Sequence, residues 1–373
     1  MSTHLTYTLD FSQISLKSLP QVGSKNASLG ELFNTLKPKG IGVLDGFATT
    51  ADAYRSLLQE RELEYELRSL LSDFDIDDVN ELSTRGHAAR VAVLDTPLPT
   101  ELREAITNAY DQLCKRLGRE PALAVRSSAT AEDLPEASFA GAAETFLNVR
   151  GHAALLRAVH QCFASLFTDR AIGYRARLGY DQLQVAISVG VQPMVRSDKA
   201  SSGVIFTLDP ESGFREVVTV NSSYGLGEFV TQGVVKPDEW TIFKPTLKYG
   251  LRSIIGRSLG TKELRLVYGD GCRTTRNEST PLADRQGFSL RDDEVLKLAK
   301  WACLIEDHYS QRAGKPQPMV IEWAKDGITN ELFIVQARPE TVHSAKPQTV
   351  ITEVHRLNET ISKMQAGNLT HCT

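Results

Sequence analysis

The chain has few of the residues that announce a chemistry by themselves. Its five cysteines, Cys114, Cys162, Cys272, Cys303 and Cys372, are scattered over 373 residues, and no two have the spacing of a metal knuckle or a redox pair. They read as reduced, mostly buried thiols, which points to the cytoplasm. Positive charge is not in excess. Lys+Arg total 42 against 46 Asp+Glu, a net charge of −4, so a general binder of nucleic acid or of membrane surfaces is excluded and any polyanion must be gripped by a few placed cations. No apolar run approaches a membrane span, and the start, Met-Ser-Thr-His-Leu-Thr-Tyr, has no signal-peptide core. None of the eight histidines lies in a glycine- and threonine-rich loop that would present a nucleophilic imidazole, and no glycine spacing matches a Walker P-loop. There is no internal repeat.

What remains is an ordinary globular composition, 41% hydrophobic and 24% charged, long enough for two lobes. After a short strand-like start, the first 110 or so residues read as mainly helical. Helical spacing of Tyr54, Leu57, Leu58 and Leu63 predicts a helix over Ala51 to Leu71, and Thr100 to Leu117 predicts another, beginning just after Pro99. Leu123–Val125 reads as a short strand ending in Arg126-Ser127-Ser128, Phe146–Val149 as a second, and His152 to Tyr174 as one long amphipathic helix. From Val185 the pattern turns to strands: 185–189, 204–206, 217–220, 240–243 and 264–268. Residues 269–287 read as a surface loop and Arg291 to Gln311 as a helix. The predicted division is a helix-rich first lobe over 1–190, a strand-rich second lobe over 191–343 and a tail over 344–373. In that tail Val354, Leu357, Ile361 and Met364 predict a short amphipathic helix ended by Gly367.

Several segments combine cations, hydroxyls and glycines. Gly23-Ser24-Lys25 places a lysine after a glycine turn at a helix start, where backbone N–H groups and an ammonium favour a phosphate; such lysines are also common with no ligand. Ala124-Val125-Arg126-Ser127-Ser128 ends a buried strand in an arginine that can bind an anion or pair with an acid. Ser138 to Thr145, containing Gly141, is a small-residue loop that either closes over phosphates or is a structural turn. Tyr224-Gly225-Leu226-Gly227-Glu228 offers a carboxylate to a ribose hydroxyl. The most informative segment is the pair of strand-like runs Pro318–Trp323 and Phe333–Val342 about the turn 324–327. Paired antiparallel, they bring Glu322, Gln336 and Arg338 together, either as a seat for a metal-polyphosphate complex or as ordinary surface charges of a hairpin.

Taken in order from about residue 20 to 342, these segments resemble the N-terminal ATP-binding domain of the phosphoenolpyruvate synthase and pyruvate phosphate dikinase family. The carriers are Val22–Glu31, Gly46–Thr50, Ala124–Asp133, Ser138–Val149, Phe163–Arg170, Gln192–Val195, Ser201–Phe206, Gly225–Glu228, Pro237–Glu239 and Ile321–Val342. The resemblance implies an α+β ATP-grasp fold, two lobes clasping ATP, with Mg2+ as cofactor. It implies that Lys25 and Arg126 hold the ATP phosphates, that Glu322 and Gln336 bind magnesium and phosphate oxygens, and that Arg338 steadies the transferred group. Backbone at Gln192, Met194 and Val195 would meet adenine, Glu228 the ribose, and the loop at Gly141 the phosphates. The chain departs from the family pattern in two places: Val320 stands where an Asp is usual, and Ala142-Ala143 follows Gly141 where a glutamine is usual.

No histidine-bearing swivelling domain and no acceptor-binding barrel follow in this sequence. The reading is therefore the ATP-binding subunit of a split dikinase, organised as in phenylphosphate synthase. It would pass the β-phosphoryl of ATP to a histidine on a partner subunit or domain, with AMP and phosphate released, and a further acceptor-binding subunit would complete the reaction. Phenol is the first acceptor expected and pyruvate the second. The alternatives are an excised nucleotide-binding domain of phosphoenolpyruvate synthase, or an ATP-sensing regulatory subunit, suggested by Val320. The amphipathic tail leads to the expectation of a natural stand-alone subunit.

Overall fold

The computed structural model describes residues 5–130, 144–269 and 274–343, together with the backbone of 133–134 and 137–138. The tail helix expected beyond residue 343, the loop at Gly141, Cys272 and Cys372 lie outside the described residues. In chain order the strands are β1 (Thr8–Asp10), β2 (Phe47–Thr49), β3 (Leu123–Ala129), β4 (Asp133–Leu134), β5 (Ala137–Ser138), β6 (Thr145–Val149) and β7 (Ile187–Pro193), then β8 (Ser201–Phe206), β9 (Val217–Tyr224), β10 (Asp238–Phe243), β11 (Ile254–Ser258), β12 (Leu264–Tyr268), β13 (Thr275–Ser279), β14 (Met319–Lys325) and β15 (Leu332–Pro339). The helices are α1 (Leu19–Glu31), α2 (Ala51–Leu58), α3 (Leu63–Leu70), α4 (Val79–Asp95), α5 (Thr100–Leu117), α6 (Gly151–Ala164), α7 (Asp169–Arg177), α8 (Glu228–Thr231), α9 (Lys244–Lys248), α10 (Leu282–Arg285) and α11 (Asp292–Ala313).

Two antiparallel sheets organise these elements, one of five strands in the order β1-β2-β7-β3-β6 and one of six in the order β11-β10-β9-β8-β14-β15. The fold is α+β, as expected. Helices α2 to α6 supply Tyr54, Leu67, Val93, Ile106 and Phe163 to a core against the first sheet. Helix α11 covers the second sheet with Val295, Leu298, Trp301 and Ile305.

Lobe membership does not follow chain order. Phe11, Val22, Leu29 and Leu32 pack in the second sheet's core although they precede almost all of the first lobe. The expected boundary at 190/191 falls inside β7, all of whose residues belong to the first sheet. Single-residue patterns show that a face is apolar but not which sheet it will meet.

Other differences have local causes. The helix expected over 51–71 breaks between α2 and α3, where Arg61 and Glu62 take left-handed angles (φ 48° and 58°), and the turn lets both Leu57 and Leu63 reach one core. The helix expected over 152–174 stops at Thr168, whose hydroxyl accepts the Ala171 N–H and starts α7 anew. The region 269–287 is not all loop: β13 pairs with β12, and α10 follows. Strand β3 continues to Ala129, so Arg126 sits mid-strand rather than at a strand end.

Candidate functional site

Helix α1 is one element that joins the lobes. At Gly23 (φ 71°) the chain presses on β3 so closely that a Cβ there would overlap the Ser128 hydroxyl and lie 2.5 Å from the Ser128 carbonyl. Only glycine fits, and the regular helix starts immediately afterwards. Asn26, 1% exposed, donates to Ser188 Oγ on β7 at 2.9 Å. Two residues on, Ser28 donates to the Ala337 carbonyl on β15 at 2.6 Å. Lys25 lies beside these anchors on the same helix, as the glycine-turn reading expects.

The β14–β15 hairpin pairs antiparallel, as expected. Glu322 faces Gln336, and Val320 faces Arg338. Its turn is longer than expected, 326–331, because Asp326 accepts the Ile328 and Thr329 N–H groups and closes it. A bulge after Glu322 pairs Trp323 with Ile334, which leaves Val335 out of the ladder. Arg126 of the other sheet donates Nη1 to the released Val335 carbonyl at 3.2 Å. The bulge thus becomes a contact between the two sheets.

A cleft of about 530 Å³ opens between the sheets, within the size range of ligand sites. Lys25, Arg126, Gln192, Met194, Val195, Glu228, Glu322 and Gln336 all line it. Arg338 does not. It is exposed on a second cavity of about 480 Å³, which shares Lys25 with the first. No hydrogen bond or ion pair reaches its guanidinium from the described residues. Its cross-strand neighbour is Val320, which is apolar and buried and offers no carboxylate to pair with it.

One end of the cleft is apolar: Ala124, Leu147 and Leu226 pack with Phe229, Val235 and Leu266, and Met194 lies against them. Gln192, 4% exposed, has an Nε2 donor without a partner among the described residues, as a buried group awaiting a ligand acceptor would. The other end is charged. Burial pushes the Glu228 carboxyl up; the nearby Arg126 charge opposes this, and the carboxylates of Glu144 and Glu322 add to it. Glu228 is protonated more readily in the folded than in the unfolded chain, so its contribution to stability is fully present below the unfolded pKa and is lost as pH rises through the raised one. Glu228→Gln should therefore melt like the parent in acid and above it at neutral pH. Thermal melts across pH 4 to 8 check this, and parallel curves would refute it.

An apolar end, an orphaned amide and a charged end where Lys25 and Arg126 stand among three carboxylates fit a nucleotide held with a cation. For magnesium the donor set is sparse. Glu322 and Gln336 are two hard oxygen donors facing each other across the hairpin, and no group of three or more His, Cys, Asp or Glu suited to a metal occurs among the described residues. Phosphate and water oxygens would have to complete the shell, which is how Mg2+ is ordinarily held.

Sequence reasoning gives no site role to Glu144, Leu147 or Leu226, and it reads β13 as loop. Leu147 carries no sequence signal beyond strand-like apolarity, Leu226 sits between two glycines in the turn before α8, and Glu144 stands in a small-residue loop whose sequence gives it no role. Among the described residues, Cys114, Cys162 and Cys303 are free thiols, and burial pushes the Cys162 thiol far up, which makes it inert. No helix among the described residues is long and apolar enough to cross a membrane.

Fold and cleft define an α+β domain built to hold a nucleotide between two antiparallel sheets. The family described as pyruvate phosphate dikinase, AMP/ATP-binding domain, matches residues 19–359, and the chain belongs to that family. It is 52% identical over 347 residues to the phosphoenolpyruvate synthase of Synechocystis sp., covering 91% of this chain and 42% of the relative. It is 50% identical over 340 residues to that of Aquifex aeolicus, 91% of this chain and 40% of the relative. With the Escherichia coli phosphoenolpyruvate synthase it shares 50% over 337 residues, 90% of this chain and 42% of the relative. The chain thus spans about two-fifths of the length of these curated relatives. The resemblance to phenylphosphate synthase finds no support among them.

Proposed function

We propose that this chain is the ATP-binding part of a dikinase of the phosphoenolpyruvate synthase kind. It holds ATP while the β-phosphoryl passes to a histidine carried by another domain or subunit; the γ-phosphoryl goes to water, and AMP and phosphate leave. The observation that carries this reading is the convergence of Lys25, Arg126, Gln192, Glu228, Glu322 and Gln336 on one cleft, contributed by both sheets, α1 and α8. Pyruvate is the proposed final acceptor, in keeping with the name of the relatives, and it replaces phenol as the leading choice.

In this reading the apolar end at Leu147, Met194 and Leu226 takes the base, and the Gln192 amide meets a base heteroatom. Glu228 accepts from the ribose, and Lys25 and Arg126 neutralise the polyphosphate. Glu322 and Gln336 hold Mg2+, which when bound would neutralise charge on the phosphate oxygens. Arg338, exposed at the shared Lys25 wall, waits for the transferred group. Phosphoryl transfer needs little more from the nucleotide-binding part than fixed cations and in-line positioning, and Lys25 and Arg126 in the cleft are such cations.

ATP labelled at the β-phosphate, mixed with the chain and a histidine-bearing candidate, tests the division of labour. Label on the partner's histidine is the expected result. AMP formation at full rate by the isolated chain, or label on this chain, would overturn it. The same assay separates an ATP-sensing subunit, the reading Val320 favours, since a sensor labels no partner.

A further inference from the structure

The hydroxyls of Ser28 and Tyr309 form a buried relay whose polarity is fixed by chemistry. Ser28 Oγ lies 2.6 Å from the Ala337 carbonyl and 2.7 Å from Tyr309 Oη. A carbonyl only accepts, so the single Ser28 proton goes to Ala337, and Tyr309 must donate to Ser28. Burial pushes the Tyr309 hydroxyl up to about 12, so it remains a donor across the neutral range. Both residues are nearly sealed, at 6% and 7% exposure.

The relay connects the three elements that bear on the phosphate end. Ser28 is one turn beyond Lys25 on α1, on the same helix face. Ala337 lies between Gln336 and Arg338 on β15. Tyr309 comes from α11, against the second sheet. Beside it a second clamp joins the same two helices: Glu31 of α1 accepts from His308 at 2.8 Å and from Arg312 at 2.7 Å. Burial pushes the Glu31 carboxyl up, but these partners and the Leu16 N–H outweigh it and hold the group below its ordinary value. Glu31 anchors α1 at its far end, whereas the Ser28 bond reaches the strand that carries Gln336 and Arg338.

We infer that the Tyr309–Ser28–Ala337 relay is a positioning device that sets the spacing of Lys25 against Gln336 and Arg338, and hence the grip on the polyphosphate but not on the nucleoside. The inference rests on the nucleotide reading given above. Its test is the ratio of AMP to ATP dissociation constants, measured by calorimetry with magnesium present. Tyr309→Phe and Ser28→Ala should each lower that ratio by roughly tenfold, about 1.4 kcal/mol, by weakening ATP alone. Ser28→Thr, which keeps the hydroxyl, should restore it. A merely structural role would loosen both nucleotides equally and leave the ratio unchanged, which overturns the inference while the nucleotide reading stands. Should Tyr309→Phe fail to fold, Ser28→Ala decides the same question. A parent chain that binds neither nucleotide, or ATP no better than AMP, overturns the nucleotide reading and the inference together.

Discussion

Arg126→Ala is expected to lower ATP affinity by roughly 10- to 100-fold, the range set by about 1.5–3 kcal/mol for a hydrogen bond to a charged group. Two consequences combine. The guanidinium is the cation whose charge opposes the push of Glu144 and Glu322 on Glu228, so without it three carboxylates face an incoming polyanion with less compensation. It also donates to the Val335 carbonyl that the β15 bulge releases, so its loss frees a bond that ties β3 to the hairpin. Arg126→Lys keeps the charge but not the planar fork and should fall between parent and alanine variant. Calorimetric titration with ATP in magnesium buffer measures this. If Arg126→Ala binds within about threefold of the parent, Arg126 does not hold the polyphosphate.

The largest expected effect on stability lies away from the cleft. Lys262 and Asp238 form an ion pair with both side chains fully buried. Asp238 also accepts from the Gly260 N–H at 2.9 Å, the Ser289 N–H at 2.8 Å and the Ser289 hydroxyl at 2.7 Å, and Lys262 donates to the Gly260 carbonyl at 3.0 Å. Lys262→Met removes one charge and strands the other, so it should destabilise by about 3–5 kcal/mol, read as a lower urea midpoint at unchanged slope. Adding Asp238→Asn should recover part of this, because the stranded charge is then gone. A single variant as stable as the parent would mean that Asp238 reaches water or a proton by another route. The network matters to the site indirectly: β10 pairs with β9, and β9 leads through Gly225 into Glu228.

Much of this is legible in the chain alone, for identifiable reasons. That β14 and β15 pair is legible because two strand-like runs flank one turn, but the facing of Glu322 and Gln336 is not: the register running from the turn would set Glu322 opposite Val335, and the bulge shifts it by one residue. Lys25 is legible because a glycine turn before a helix start exposes backbone N–H groups beside it. Arg126 is legible in the right strand but not in its true place there, since the apolar run stops at Val125 while Ser127 and Ser128, buried polar residues in a sheet interior, carry the strand on. The separation of Arg338 from the main cleft is not legible, because shared strand parity says nothing about which cavity a side chain enters.

The sequence by itself determined the class of fold, the charge and hydroxyl groups available for a nucleotide, and the pairing of β14 with β15, because each follows from periodicity and from neighbours in the chain. Tertiary structure alone decided that α1 belongs to the second core while carrying Lys25 toward the first sheet, that a bulged carbonyl receives Arg126, and that Tyr309 reaches Ser28 from 281 positions away. Such contacts arise from packing between segments far apart in the chain, where no local preference of either residue records the other.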